Sequence, residues 1–335
     1  MAKDYINIPN EIRDEHMAPI YEKLRGHVGE PDWQTTWTMD KKQLEGFIKK
    51  HESKGVIWIN NSLDRRTYLA LDRVSKEWDR PLRVITSLTP AGLYDNDNLK
   101  FIATFNFTYN FSSHLLKNYR QTMEWGRGYV ENALFDKTYT MLVGTGDGDR
   151  DQILRTCLDH QLGLVGAWSH MGNDLMQIPR RVLGKDEHRK HIDWQDMWLS
   201  MPTIIESMWH SRVVVALENL CGEHPHTSIT EKTIWGYLAM RPQLMFSGPG
   251  TDLVRRQLGF RELAGIPQQM DGHDTQTKSR LLVGELWRIH HQPEDQYRQW
   301  METQGDTLNH NHEAVWRLPE NIERFVDRQL ERFTR

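Results

Sequence analysis

The stretch Ala216–Met240, ALENLCGEHPHTSITEKTIWGYLAM, decides how the chain is read. It completes an apolar run, Val213 to Leu217, that ends in Glu218-Asn219, crosses a polar loop and restarts on Ser228-Ile-Thr-Glu-Lys. The β-branched run predicts a buried strand, and TEKTIWGYLAM predicts a helix. Ser228 followed three residues later by Glu231 predicts a capping box, in which side chains satisfy the free amides of a helix start. The box accounts for Glu231. It does not account for Lys232, whose charge opposes the helix dipole in the first turn, or for Glu218 and Asn219 where a buried strand ends. A helix N-terminus at the carboxyl edge of a parallel sheet is an anion site, and a lysine there suits a diphosphate. Cap and anion site both remain open on spacing alone.

Outward from this stretch, strands and helices alternate. QLMFSG reads as the next strand and TDLVRRQLGF as the next helix; upstream, YTMLVGTG (Tyr139 to Gly146) reads as a strand, DRDQILRTCLDHQLG as a helix and LVGAWS as a strand. The alternation predicts a parallel sheet. The first part of the chain repeats the pattern. A polar helical leader precedes the strand GVIWIN (Gly55 to Asn60), a helix with Leu63, Leu69, Ala70 and Val74 at helical spacing, and the strands RVITSL (Arg83 to Leu88) and KFIATFNF (Lys100 to Phe107). A helix is then expected from near Ser112 to Trp125. An irregular region with short helices is expected from His170 to about Met201, and helices from Lys278 to Met301 and from Pro319 to Arg335. The expected fold is therefore α/β: one domain over 1–135, a second over 136–312, and a C-terminal helix over 313–335 that packs back on the first. Tandem α/β domains create a cleft between the carboxyl ends of their sheets, where ligands of open α/β sheets bind.

Composition bounds the function. The 335 residues, 38% hydrophobic and 26% charged, suit two domains of about 150 residues each. With 42 basic and 46 acidic side chains the formal charge is -4, so nothing global attracts nucleic acid or anionic lipid. Cys157 and Cys221 cannot form a disulfide framework, and MAKDYINIPNEIRDEHMAP does not resemble a signal peptide; a cytoplasmic setting is expected. Apolar runs such as Val213 to Leu217 fall far short of the roughly 20 residues that span a bilayer, so no membrane span is expected.

The ordered set LEN, SITEK and TIWGYLAMRPQLMFSGPG resembles the donor-binding signature of α1,3-fucosyltransferases. It is also similar to glycosyltransferase-like proteins of tailed phages, with Pro242, the Gly248 to Gly250 turn and the Leu258 to Phe260 element in matching order. The resemblance implies a glycosyltransferase of the GT-B type, two Rossmann-like domains facing a central cleft, that uses a nucleotide diphosphate sugar as co-substrate without a metal or other cofactor. For a phage-encoded chain the setting is the host cytoplasm. Carried over, Glu231 accepts from the ribose hydroxyls, Lys232 pairs with the diphosphate, and Asn219 touches the sugar, with Glu218, Thr230 and Gly248 completing the donor site. Arg150, after the strand Tyr139 to Gly146, takes the place of a basic residue that reaches the phosphates. Where those relatives carry further basic residues, this chain has Asp147 and Asp149. The first domain faces the acceptor, a glycan or a DNA base.

Other readings compete. The loss of basic residues at Asp147 and Asp149 suits a non-catalytic module that binds a nucleotide sugar or nucleic acid. Asp147-Gly-Asp149 also spells a carboxylate pair suited to a hard divalent cation in a metal-dependent transferase. Acidic residues favoured by a helix dipole explain the pair equally well, and no metal is assigned. The 16 histidines include the pairs His188/His191, His224/His226 and His290/His291 without a zinc-binding pattern. Arg180 to His191 is the one basic patch, a solvated face or a contact for DNA phosphates. A general base is expected from the first domain, at Asp64 or His114, although Asp64 also suits a helix cap and His114 buried polar support.

Overall fold

Two four-stranded parallel sheets organise the chain in this computed structural model, which describes residues 10–30, 33–34, 39–51, 54–62, 65–78, 81–88, 96–125, 135–143, 148–170, 194–218, 229–248, 250–266 and 273–333. The first sheet has the order β1 (Trp33–Gln34), β2 (Val56–Ser62), β3 (Leu82–Leu88), β4 (Leu99–Ala103). Before it lies α1 (Asn10–Val28), and α2 (Lys41–Lys50) and α3 (Arg65–Ser75) connect its first three strands. Successive strand residues point to opposite faces. Ile57, Ile59, Val84 and Phe101 accordingly join α2 and α3 in one core, while Val56, Trp58, Ile85 and Ile102 face another.

After β4 the chain turns through Phe105, whose φ of 48° is left-handed, into α4 (Asn106–Trp125). The strand therefore stops at Ala103 instead of Phe107, and the helix starts six residues before Ser112. The aromatic FNFTYNF run looks like strand, but Phe111 and Leu115 are helical core residues.

The second sheet has the order β6 (Gly166–His170), β5 (Lys137–Val143), β7 (Ser211–Leu217), β8 (Gln243–Phe246). From β5 the chain passes through α5 (Gly148–Asp159) to β6 on one side. It returns through α6 (Trp194–Trp209) to β7, then passes through α7 (Glu231–Leu238) to β8 on the other side. The strand order thus reverses between β5 and β7, and ligands of such sheets bind at the carboxyl ends flanking the reversal. Helix α6 replaces the end of the region expected to be irregular. Pro202 interrupts its pattern, while Met201, Ile204, Ile205 and Met208 are buried.

Helices α8 (Thr251–Gln257), α9 (Thr275–His291), α10 (Glu294–Thr303), α11 (Gly305–Trp316) and α12 (Leu318–Phe333) complete the chain. Helix α11 fills a gap that the sequence left without a helix; Leu308, Ala314, Val315 and Trp316 bury its apolar side. On α12, Leu318, Ile322, Phe325, Val326 and Leu330 fall at helical spacing and are all buried.

Helices α5 and α9 cover one face of the second sheet, where Tyr139, Met141, Val143, Val213, Val215 and Leu217 point. The other face, with Leu142 and Val214, meets α6, α7 and α11, and these share a continuous core with α1, α4, α12 and the first sheet. Helix α12 packs on α1, α4 and β4. There Gln329 bonds both the amide and the carbonyl of Ala103, at 2.8 and 3.1 Å, and Tyr109 donates to Glu323 at 2.7 Å. No described helix is long and apolar enough to cross a membrane.

Gly166 pairs with Tyr139 across β5 and β6, and a Cβ at Gly166 would collide with the buried Tyr139 ring, whose hydroxyl donates to Leu162 O at 3.2 Å. Gly166→Ala is expected to destabilise the chain by roughly 1–3 kcal/mol, the usual range for overpacking, in urea melts. An unchanged midpoint would show that the ring moves aside freely.

Candidate functional site

The carboxyl edge of the second sheet gathers the starts of α5, α7 and α9. Helix α7 does not use the expected capping box. It starts at Glu231 with Thr230 as N-cap, so Glu231 is its first residue instead of its third, and Ser228 is outside the described residues. The Thr230 side chain makes no capping bond. The cap comes from β7: Glu218, fully buried one residue past the strand, accepts at Oε1 from the Thr230 amide, 3.0 Å away, and from the Thr233 hydroxyl. A carboxylate at the positive end of a helix is a favourable placement. Burial nevertheless pushes the Glu218 carboxyl above its ordinary range, against the opposing pull of Lys232 and the two donors, with Glu231 raising it further. Glu218 Oε2 and Thr230 Oγ1 are both buried without a hydrogen-bond partner among the described residues.

Immediately beyond the cap, Lys232 Nζ donates to Glu231 Oε1 at 2.7 Å, and each side chain is only 9% exposed. The first turn is braced from behind. Gln243 of β8 donates to Thr233 O at 3.1 Å, and it reaches there because Gly236 has no side chain; a Cβ would stand 2.6 Å from Gln243 Cδ.

Helix α9 adds a lysine that the sequence reading passed over. Asp274 caps α9 by accepting from the Thr277 amide at 2.8 Å. Fully buried Lys278 in its first turn donates to Ser247 O at 3.0 Å, just past β8. Thr275 donates to Asp149 Oδ1 at 2.7 Å and so ties α9 to the start of α5. Arg150, the next residue of α5, is buried. The signal for α9 was its cap, Asp274-Thr-Gln-Thr277; nothing in the sequence tied Lys278 to Ser247. Gly248 is buried, and its carbonyl accepts from the Thr251 hydroxyl at 2.8 Å.

Glu218, Thr230, Glu231 and Lys232 are therefore brought together, and Arg150, Lys278 and Gly248 stand at strand ends of the same sheet. Asn219, Asp64, Asp147, Cys221, the pairs His188/His191 and His224/His226, and the Arg180 to His191 patch lie outside the described residues. Asp149 is engaged by Thr275. No group of three or more metal-ligating side chains is found among the described residues. His290 pairs with Thr138 at 2.8 Å, and His291 with Trp287 O at 2.9 Å.

His114 is not brought to this group. It lies eight residues into α4, about 12 Å from the helix start, with its ring 6.0 Å from that of His16 on α1 and its Nδ1 3.2 Å from Asn118. Burial, with His16 and Lys117 nearby, lowers its pKa to about 4, which leaves it neutral and a weak proton acceptor at pH 7. Cys157 is buried, and its thiol is pushed up to about 12.

No protein-family model matches the chain, and no curated protein matches its sequence.

A histidine held neutral costs stability in acid, because the unfolded chain binds a proton from about pH 6.5 downward while the folded chain does so only near 4. Stability is therefore expected to fall between these values, and His114→Gln to lessen the fall. Melting temperatures across pH 4 to 7.5 check this; equal slopes for the two proteins would count against it.

Proposed function

We propose that the chain is a glycosyltransferase of the GT-B type that moves a sugar from a nucleotide diphosphate donor without an essential metal. The donor lies at the carboxyl edge of the second sheet, and the acceptor is held from the first. The observation that carries this reading is the buried Lys232 in the first turn of α7, beside the point where the strand order reverses. A lysine there opposes the helix dipole, and its pairing with Glu231 takes two charges out of water, so stability alone does not favour it. An anionic ligand does.

The chemistry follows from charge. As the sugar departs, the nucleoside diphosphate gains negative charge, and fixed cations and helix N-termini stabilise it most where water is excluded. Lys232 and Arg150 supply the charge, and the start of α7 supplies oriented amides. Glu231 takes the ribose hydroxyls once Lys232 turns to the phosphates. Lys278 holds the turn after β8, which closes the site from the side of α9. On the first sheet, Asp64 follows β2 by two residues and is the proton acceptor of choice, since His114 is a weak base.

Calorimetry and thermal shift with UDP, GDP, dTDP and their sugars test the donor site. Lys232→Ala leaves Glu231 buried without its cation, a cost partly offset because the helix dipole favours a carboxylate there, so it is expected to fold but melt below the parent, and to lose about 1.5 to 3 kcal/mol of nucleotide affinity, the range for a hydrogen bond to a charged group. Glu231→Gln is expected to melt within a few degrees of the parent and to bind less tightly. Parent-like binding by Lys232→Ala, or no binding of any nucleotide by the parent, would overturn the assignment.

A further inference from the structure

The peptide group that joins Ile229 to Thr230 is gripped at both ends. Its amide donates to Glu218 Oε1, 3.0 Å away, and its carbonyl accepts from the hydroxyl of Thr108, in the first turn of α4. The C=O and N–H of a trans peptide point in opposite directions, so the two partners reach it from opposite sides. Glu218 follows β7, in the second sheet, and Thr108 follows β4, in the first. Thr108, Ile229 and Glu218 are fully buried, and Thr230 nearly so. One peptide is therefore strung between the two sheets, immediately ahead of Glu231 and Lys232.

A second contact runs alongside. Phe111 of α4 meets Trp235 of α7 edge to face, with ring centroids 6.2 Å apart and planes at 72°. The aromatic pair sets how the two helices pack, whereas the hydroxyl sets the orientation of one peptide. The two bonds of the clamp also reinforce each other, because a donor at the carbonyl polarises the peptide and strengthens its amide as a donor to Glu218. Shape alone does not call for the hydroxyl. Valine would fill the same space, but it would leave the buried Ile229 carbonyl without this donor.

We propose that Thr108 is a positioning residue of the donor site: it holds the peptide between residues 229 and 230 in the orientation that presents Glu231 and Lys232 to a nucleoside diphosphate, so that ligand affinity depends on how α4 docks on α7. The ligand half rests on the donor-site reading, whereas the clamp stands on its two hydrogen bonds. Thr108, fully buried, acts through the peptide and not on the ligand. The helix start that it steadies carries the free amides and the lysine that suit a phosphate. Such coupling is reciprocal: if docking of α4 favours the ligand, the ligand favours the docking.

The test compares the full chain with Thr108→Val, which keeps the shape and loses the donor, and Thr108→Ser, which keeps the donor. Amide hydrogen exchange, read by mass spectrometry on fragments, reports the clamp with no ligand present. Residues 229–235 are expected to exchange about fivefold faster or more in Thr108→Val, the factor for one hydrogen bond of ordinary strength, and close to the parent rate in Thr108→Ser. Helix α9 serves as the control and is expected to exchange alike in all three proteins. Equal exchange at 229–235 in the parent and Thr108→Val would overturn the clamp. Faster exchange in α9 as well would mark a general loss of stability and overturn it too.

GDP and UDP are the ligand probes, measured by calorimetry. Thr108→Val is expected to bind them about fivefold more weakly or worse, and Thr108→Ser to restore the parent affinity. A hydroxyl that serves only the fold would lower the melting temperature and leave the affinity of the folded protein unchanged; that result would overturn the positioning role and leave the donor site standing. By reciprocity, a bound nucleotide is expected to slow exchange at residues 105–110 of the parent, and no slowing would overturn the coupling. Should Thr108→Val not fold, this last measurement decides. If the parent binds neither nucleotide, the donor-site reading and the positioning role fall together, and exchange in the unliganded proteins still judges the clamp.

Discussion

A single carboxyl group ties the second sheet to the helix that matters most in this fold. Glu218, one residue beyond β7, reaches the N-terminus of α7 and takes the place of a capping side chain from the helix's own leader. A local capping box would stabilise α7 as a helix; a cap from the strand instead locks the helix to the sheet. The consequence is positional. Residues 231 and 232 are held relative to β7 however the intervening loop runs, and Gln243 of the neighbouring strand braces the same turn at Thr233.

The rest of the edge is built on the same plan, with helix starts fastened to strand ends by buried polar contacts. Lys278 reaches back to the residue after β8, and Thr275 reaches across to Asp149 at the start of α5. Each contact crosses between elements far apart in sequence and buries groups that are expensive to leave unpaired. Apolar packing supplies the scale: one core runs from the first sheet through α1, α4, α12, α6, α7 and α11 to the second. Within that core the hydroxyl of Thr108, in the first turn of α4, donates to Ile229 O, next to the α7 cap. The start of the last helix of the first sheet thus touches the segment that leads into α7, so movement of either is felt by the other.

Much of the fold was legible because periodicity reports burial directly. The strands at 56–62, 82–88, 137–143, 211–217 and 243–246 each contain an apolar run, and the alternation with helices implied parallel sheets. Departures occurred where a tertiary partner outweighed local pattern. Aromatic residues of FNFTYNF form a helix because its buried face meets other helices, and Phe105 ends the strand with a left-handed backbone that no motif announces. Pro202 and the polar start of α11 broke the helical pattern without breaking the helices, since neighbouring elements bury their apolar faces. Leu69 went the other way. Read as a core position, it is half exposed, and Leu71 takes its place in the core.

By itself the sequence determined the strand at 211–217, the presence of a helix after it though not the residue at which that helix starts, and the juxtaposition of Glu231 and Lys232, because adjacent residues stay adjacent in any fold. It also marked Glu218 as unusual, a carboxylate where an apolar strand ends. Only the tertiary structure decided what that carboxylate does. Whether it faces water, a ligand or a helix start depends on how the chain returns 12 residues later, which no local pattern encodes. The same holds for Lys278, whose partner at Ser247 lies 31 residues away. Local preferences act within a few residues, whereas the cost of burying a charge is set by everything folded around it.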